Sequence, residues 1–128
     1  MSKAVLDASA ILAILNQEPG SEKLSIEVLS DAVGSTVNLA EVQARLVNKG
    51  GIPEEAWEDA LSTVRETVPF TEEQAKIAGS LVVQTRTLGL SLGDRACLAL
   101  GILLNAPVYT TDQAWKKLKV GIPIHLLR

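Results

Sequence analysis

Lys3-Ala4-Val5-Leu6-Asp7-Ala8-Ser9-Ala10-Ile11-Leu12 is the stretch whose reading decides the fold. A short run of small and apolar residues leads into an aspartate, a serine follows two places on, and a second apolar run begins. The first run has the length and polar flanks of a buried strand, and Ala10 to Leu15 reads as the start of a helix. Asp7 then stands at the carboxyl end of the first strand of an α/β sheet, where open α/β sheets place their ligands. Aspartate is also a good helix N-cap. On this segment alone both roles stay open.

Outward from this stretch, strands and helices alternate. Glu18-Pro19-Gly20 breaks the chain, and residues 21–32 resume as helix with Leu24, Val28 and Leu29 on one face. Gly34-Ser35-Thr36-Val37 reads as a second strand, followed by Asn38 as N-cap of a helix with Leu39, Val42 and Leu46 as its apolar stripe. Gly50-Gly51-Ile52-Pro53 ends that helix; Pro53 suits the first turn of the next, in which Trp57, Ala60, Leu61 and Val64 face inward. Thr67-Val68-Pro69-Phe70 reads as a third strand, placed at a sheet edge by its proline. Thr71-Glu72-Glu73-Gln74 has the capping-box spacing and opens a helix to Leu88, stopped by Gly89. Ser91-Leu92-Gly93-Asp94 repeats the box with aspartate, and its helix, to Leu104, is apolar nearly all round from Ala96 and should be buried. Pro107 to Thr110 is a fourth strand, Thr111-Asp112 leads into a short helix through Trp115 to Leu118, and Pro123 to Leu126 is a last strand. This alternation predicts one α/β domain over residues 1–128, with a central parallel sheet of four to five strands and helices on both faces.

Composition narrows the function classes. The 128 residues are 47% hydrophobic and only 3% aromatic, enough for a real core built from aliphatic side chains. No apolar run approaches the roughly 20 residues of a membrane span. The first residues lack the pattern of a secretion signal, and the single Cys97 fits a reducing compartment, so a cytoplasmic protein is expected. Cys97 lies in an apolar run and reads as core; His125, the only histidine, reads as a strand residue, and no Cys/His pattern suggests zinc. The net charge of −3 counts mildly against a nucleic-acid partner. It does not exclude one, because bound divalent cations invert the field where carboxylates gather.

Carboxylates do gather. Helices that join parallel strands run antiparallel to them, so their N-termini lie at the carboxyl edge of the sheet. Asp7 ends the first strand, Asp112 follows the fourth, Glu41 sits in the first turn after the second, and Asp94 opens the helix that drops into the fourth. The successive helices 71–88 and 92–104 must both cross between the third and fourth strands, so their directions are inferred. Each acid has an ordinary role available: Asp94 in a capping box, Asp112 as a cap, and Glu41 in a surface pair with Arg45 that contributes about 0.2–0.5 kcal/mol. Jointly, four carboxylates on one rim raise each other's pKa unless cations are present. Hard oxygen donors without His or Cys select Mg2+ or Mn2+. Carboxylate-held divalent ions are common machinery for cutting phosphodiesters.

The segments Val5-Leu6-Asp7-Ala8-Ser9-Ala10, Thr36-Val37-Asn38-Leu39-Ala40-Glu41-Val42, Leu90-Ser91-Leu92-Gly93-Asp94-Arg95-Ala96-Cys97-Leu98-Ala99-Leu100-Gly101 and Val108-Tyr109-Thr110-Thr111-Asp112-Gln113-Ala114-Trp115 occur in this order and spacing. In this the chain resembles the PIN-domain ribonucleases, and most of all the VapC-type toxins of bacterial and archaeal toxin–antitoxin pairs. The resemblance covers essentially the whole chain. It implies a three-layer α/β/α fold with sheet order 3-2-1-4-5 and an endoribonuclease dependent on Mg2+ or Mn2+. It puts the metal and catalytic acids at Asp7, Glu41, Asp94 and Asp112, with Ser9 and Thr110 at accessory hydroxyl positions. It also implies an RNA substrate, a homodimer and a small antitoxin partner. Arg45, Lys49, Arg95, Lys116 and Lys117 are candidates for phosphate contacts, with ordinary surface charge the alternative for each.

Two other readings compete. One is an aspartyl-phosphate protein, but a haloacid-dehalogenase-like phosphatase needs a second aspartate at position 9, which is Ser9, and a response-regulator receiver needs an early acidic pair that is absent. The other is a PIN-like module retained only to bind proteins. A module freed from catalysis has no need of four mutually repelling acids.

Overall fold

Three strands carry the centre of the molecule, and their side chains alternate between two separate cores. The computed structural model describes residues 3–128. Strands β1 (Ala4–Leu6), β2 (Ala32–Ser35), β3 (Glu66–Val68), β4 (Val108–Thr110) and β5 (Ile124–Leu126) form one sheet in the order β3-β2-β1-β4-β5, parallel throughout. Val5 is in register with Val33 on one side and Val108 on the other, so three valines make a row across the sheet. They pack with Cys97, Leu98, Leu100 and Trp115. Leu6 faces the opposite way and joins Ile11, Leu39 and Val42. This period-two alternation on a strand covered on both faces makes the fold three-layered.

Seven α-helices are described: α1 (Ala8–Leu15), α2 (Ile26–Ser30), α3 (Thr36–Asn48), α4 (Pro53–Leu61), α5 (Glu72–Ser80), α6 (Val82–Thr85) and α7 (Leu92–Leu104). Helix α7 touches β1, β2 and β4 on one face of the sheet, while α1 and α4 pack with α3 on the other. Its residues 96 to 101 are all buried, as the apolar run implies. Among the described residues, no helix is long and apolar enough to cross a membrane.

Several element boundaries differ from the sequence reading. Strand β2 begins at Ala32, two residues early, and Ser35 rather than Asn38 caps α3, its hydroxyl accepting from the Val37 amide at 3.2 Å. The small apolar Ala32-Val33-Gly34 fits the crowded middle of the sheet, and Ser35 ends it by turning its side chain to the helix. Residues 21–32 are not one helix. A 3-10 turn at Ser21–Lys23 is separated from α2 by Leu24, which is buried with a non-helical backbone, and by Ser25, which caps α2. The expected helix 71–88 is broken into α5, α6 and a 3-10 turn at Arg86–Leu88. Around the break, Ser80 and Thr85 donate to the carbonyls of Ile77 and Leu81, and such back-bonds compete with helix continuation. Strand β3 ends at Val68, one residue before Pro69, and is the edge strand that proline implied. The short helix after Asp112 is a 3-10 helix, Gln113–Lys117. His125 is an exposed residue of β5, its ring 4.8 Å from that of Tyr109.

Candidate active site

Adjacent parallel strands β1 and β4 end side by side, with Leu6 in register with Tyr109. The chain leaving each strand therefore delivers Asp7 and Asp112 to the same edge, where α3 brings Glu41 and α7 brings Asp94. A cavity of about 460 Å³ opens there and is lined by all four acids. Of the five candidate cations, Arg45 alone lines it. Lys49 lies past the end of α3, Lys116 and Lys117 are exposed residues of the 3-10 helix after β4, and Arg95 turns to α5, where Nη1 donates to the Ala78 carbonyl at 2.9 Å.

Asp7 is the most deeply set of the four, at 4% exposure. Its Oδ1 accepts from the Ala10 amide at 2.8 Å, so it does cap α1. The same oxygen accepts from the Ser9 hydroxyl at 2.7 Å, and Oδ2 accepts from the Thr110 hydroxyl at 2.5 Å. Each hydroxyl is held in turn by the chain after β4: Thr111 N donates to Ser9 Oγ at 2.9 Å and Asp112 N to Thr110 Oγ1 at 3.0 Å. Cap and site are thus one arrangement. Burial pushes the Asp7 carboxyl up from 3.8 to about 6, against the lowering pull of the Thr110, Ser9 and Ala10 bonds, and the charge of Asp94 adds to the rise.

Glu41 is half-buried and has no partner in Arg45; among the described residues the ion pairs are Lys3–Glu66 and Arg128–Glu18. Its Oε1 instead accepts from Asn38 Nδ2 at 2.9 Å, and its carboxylate lies against Gly93. Asp94 completes the capping box expected at Ser91: Ser91 N donates to Oδ2 at 3.0 Å and Asp94 N to Ser91 Oγ at 3.1 Å. Asp112 is exposed, and its Oδ1 accepts from Ala114 N at 2.9 Å.

The donor set suits a hard divalent cation: carboxylates and hydroxyls, with no His or Cys among the described residues that line the cavity. Burial is the main cause of the raised Asp7 pKa, and a bound cation would offset it. The acids are not drawn together, however, and among the described residues no three His, Cys, Asp or Glu side chains form a group that could hold a metal ion as they stand. Asp94 and Asp112 each commit one oxygen to a helix cap and leave the other without a protein donor among the described residues.

The sequence reading missed Glu18, Arg128, Asn38 and Gly93. Glu18 and Arg128 line the cavity and pair at 2.9 Å, and Arg128 Nη1 also donates to the Pro19 carbonyl. Gly20, at φ +94°, lies where a Cβ would meet the Leu127 carbonyl oxygen at 2.0 Å, so the Glu18-Pro19-Gly20 break is also the seat of the last strand's end.

A family model described as PIN domain matches residues 4–121. No curated protein is similar enough in sequence to match. Among solved structures, the fold is similar to that of DNA-bound VapBC from Salmonella typhimurium, at TM-score 0.76 and 18% identity over the whole of both chains. It is similar to VapBC2 from Rickettsia felis bound to a promoter DNA fragment, at 0.72 and 21% identity, covering 94% of this chain and 96% of that one. It is also similar to Mycobacterium tuberculosis VapC20, described as a sarcin-ricin loop cleaving toxin, at 0.71 and 19% identity, covering 94% and 99%.

Proposed function

The chain belongs to the PIN-domain family, and from that premise we propose that it is a Mg2+- or Mn2+-dependent endoribonuclease, the toxin half of a type II toxin–antitoxin pair. The observation that carries this reading is the convergence of Asp7, Glu41, Asp94 and Asp112, from four separate elements, on one cavity. Support for the toxin role comes from the similar structures, several of which are toxin–antitoxin complexes. On this reading the partners are RNA, a small antitoxin and a second copy of the chain, and the protein works in the cytoplasm.

Asp7, Glu41, Asp94 and Asp112 would hold the cation. When bound, it supplies a Lewis acid at the scissile phosphate and lowers the pKa of an attacking water. Ser9 and Thr110 lock the Asp7 carboxylate in one rotamer, because each donates to a different oxygen and is itself held by a backbone amide. Arg45, free of an ion pair among the described residues, is placed to meet a phosphate entering the acidic cavity.

The test is cleavage of a pool of structured RNAs by the purified chain with Mg2+, and again with EDTA. Cutting that stops with EDTA and returns with excess Mg2+ is expected. Cutting that persists in EDTA would overturn the metal-nuclease reading.

A further inference from the structure

The fold leaves one buried polar side chain in an odd position. Asn38 lies in the first turn of α3, 1% exposed, where the stripe of Leu39 and Val42 would predict another apolar neighbour. Its Nδ2 donates twice, to Glu41 Oε1 at 2.9 Å and to the Gly93 carbonyl at 3.0 Å, 55 residues along the chain. The amide can face only this way, since turning it over would set Oδ1 against a carboxylate and a carbonyl. Oδ1 has no hydrogen-bond partner among the described residues. An orphaned buried acceptor carries a desolvation cost that packing α3 on α7 does not require, because a leucine would pack there without it. Gly93 closes the other side: a Cβ there would lie 2.2 Å from Glu41 Oε2.

We infer that Asn38 is the positioning residue of the site and Gly93 its counterpart, together fixing the Glu41 carboxylate relative to the start of α7 and hence to Asp94. One amide ties Glu41 to the backbone carbonyl just before Asp94, so both carboxylates move as a unit. The bare Gly93 backbone is the space that Glu41 fills. This rests on the metal-nuclease reading for its purpose, although the geometry it asserts exists without a metal.

The test uses Asn38→Leu, which keeps the branched outline and removes the donor, and Gly93→Ala, which evicts the carboxylate from the opposite side. Because the atom displaced by Gly93→Ala is the far end of a flexible side chain, this variant should fold. It decides the matter if Asn38→Leu does not fold. In metal-free crystals of either variant, Glu41 should leave its wild-type position. By electron paramagnetic resonance, the Mn2+ dissociation constant should rise about 10- to 100-fold, the usual cost of losing an outer partner of a metal ligand. Added to Glu41→Gln, Asn38→Leu should raise it no further, whereas a purely structural role would act in both backgrounds. Glu41 unmoved in the variant crystals, or additive losses, would overturn the inference and leave the nuclease reading intact. A wild type that binds no Mn2+ would sink the nuclease reading, while the position of Glu41 in the crystals still decides the positioning.

Discussion

Asp7 and Glu41 line the same cavity and are held in opposite ways. Asp7 is gripped from its own strand end and the neighbouring one: two hydroxyls and an amide hold a buried carboxylate, two of them on Oδ1 and only Thr110 on Oδ2. Glu41 is half-exposed and kept in place by one amide and the absence of a side chain, Gly93, on another helix. The first corner is anchored by hydrogen bonds that the charge itself strengthens, at the cost of a carboxyl that burial pushes up to about 6. The second is anchored by shape. Losing charge should therefore disturb the Asp7 corner most, and losing space should disturb the Glu41 corner most.

The largest effect should come from Asp7→Asn, which keeps the shape of the first corner and removes its charge. RNA cleavage should fall by more than about 100-fold, beyond the usual cost of an outer partner, with the far-ultraviolet circular dichroism unchanged. Cleavage within a few-fold of wild type would break the contrast between the corners.

The same corner should show in the pH dependence of the metal-free protein. Its carboxyl is raised from 3.8 to about 6 on folding, so between these values the native state holds more protons than the unfolded one. The stability Asp7 contributes is therefore present below about pH 4 and lost as the pH climbs through about 6, a change on the order of 3 kcal/mol. Urea midpoints for wild type and Asp7→Asn at pH 4 and pH 7 check the sign: the variant should gain on the wild type as pH rises. Saturating Mn2+ should reverse that order at pH 7.

Thr110→Val is a smaller intrusion. It takes a donor from Asp7 and an acceptor from the Asp112 amide without changing volume. Chemical denaturation should show a loss of about 1–3 kcal/mol, the cost of leaving buried polar groups unpaired. Because the Thr110 bond lowers the Asp7 pKa, carbon-detected titration should find that carboxyl higher still in the variant.

At the Glu41 corner, Glu41→Gln should shift stability least, within about 0.5 kcal/mol, as for a surface substitution outside any buried ion pair. Matched thermal melts of wild type and variant would show it. A loss of several kcal/mol would mean that this corner also depends on charge, and the contrast would disappear.

The two corners also differed in legibility. Asp7 and Asp112 were readable because each follows a strand by one or two residues, and a strand running into a capping residue is a local pattern, whereas Ser9 and Thr110 came only with the family resemblance. The capping box at Asp94 was local too. Glu41 looked like a solvated residue because a helical stripe records only one packing partner, and α3 also meets α7 at its first turn. Asn38 was misread for a related reason. Placing β2 two residues late made it a cap, when Ser35 holds that post and Asn38 turns inward. Gly93 gave no signal, since the pressure on it comes from a side chain 52 places away. The Arg128–Glu18 pair at the cavity, 110 residues apart, was equally invisible. The mild acidity of the chain pointed away from nucleic acid; its meaning is local, with five carboxylates against two guanidiniums lining one cavity.

Titration calorimetry of Mn2+ into the metal-free wild type, Asp7→Asn and Glu41→Gln at pH 7.5 tests most directly whether these acids form a cation site. Saturable binding to the wild type, weakened by more than about 100-fold in both variants as expected when a ligand rather than an outer partner is lost, is the predicted result. Equal affinity in all three proteins, or none in the wild type, would contradict it.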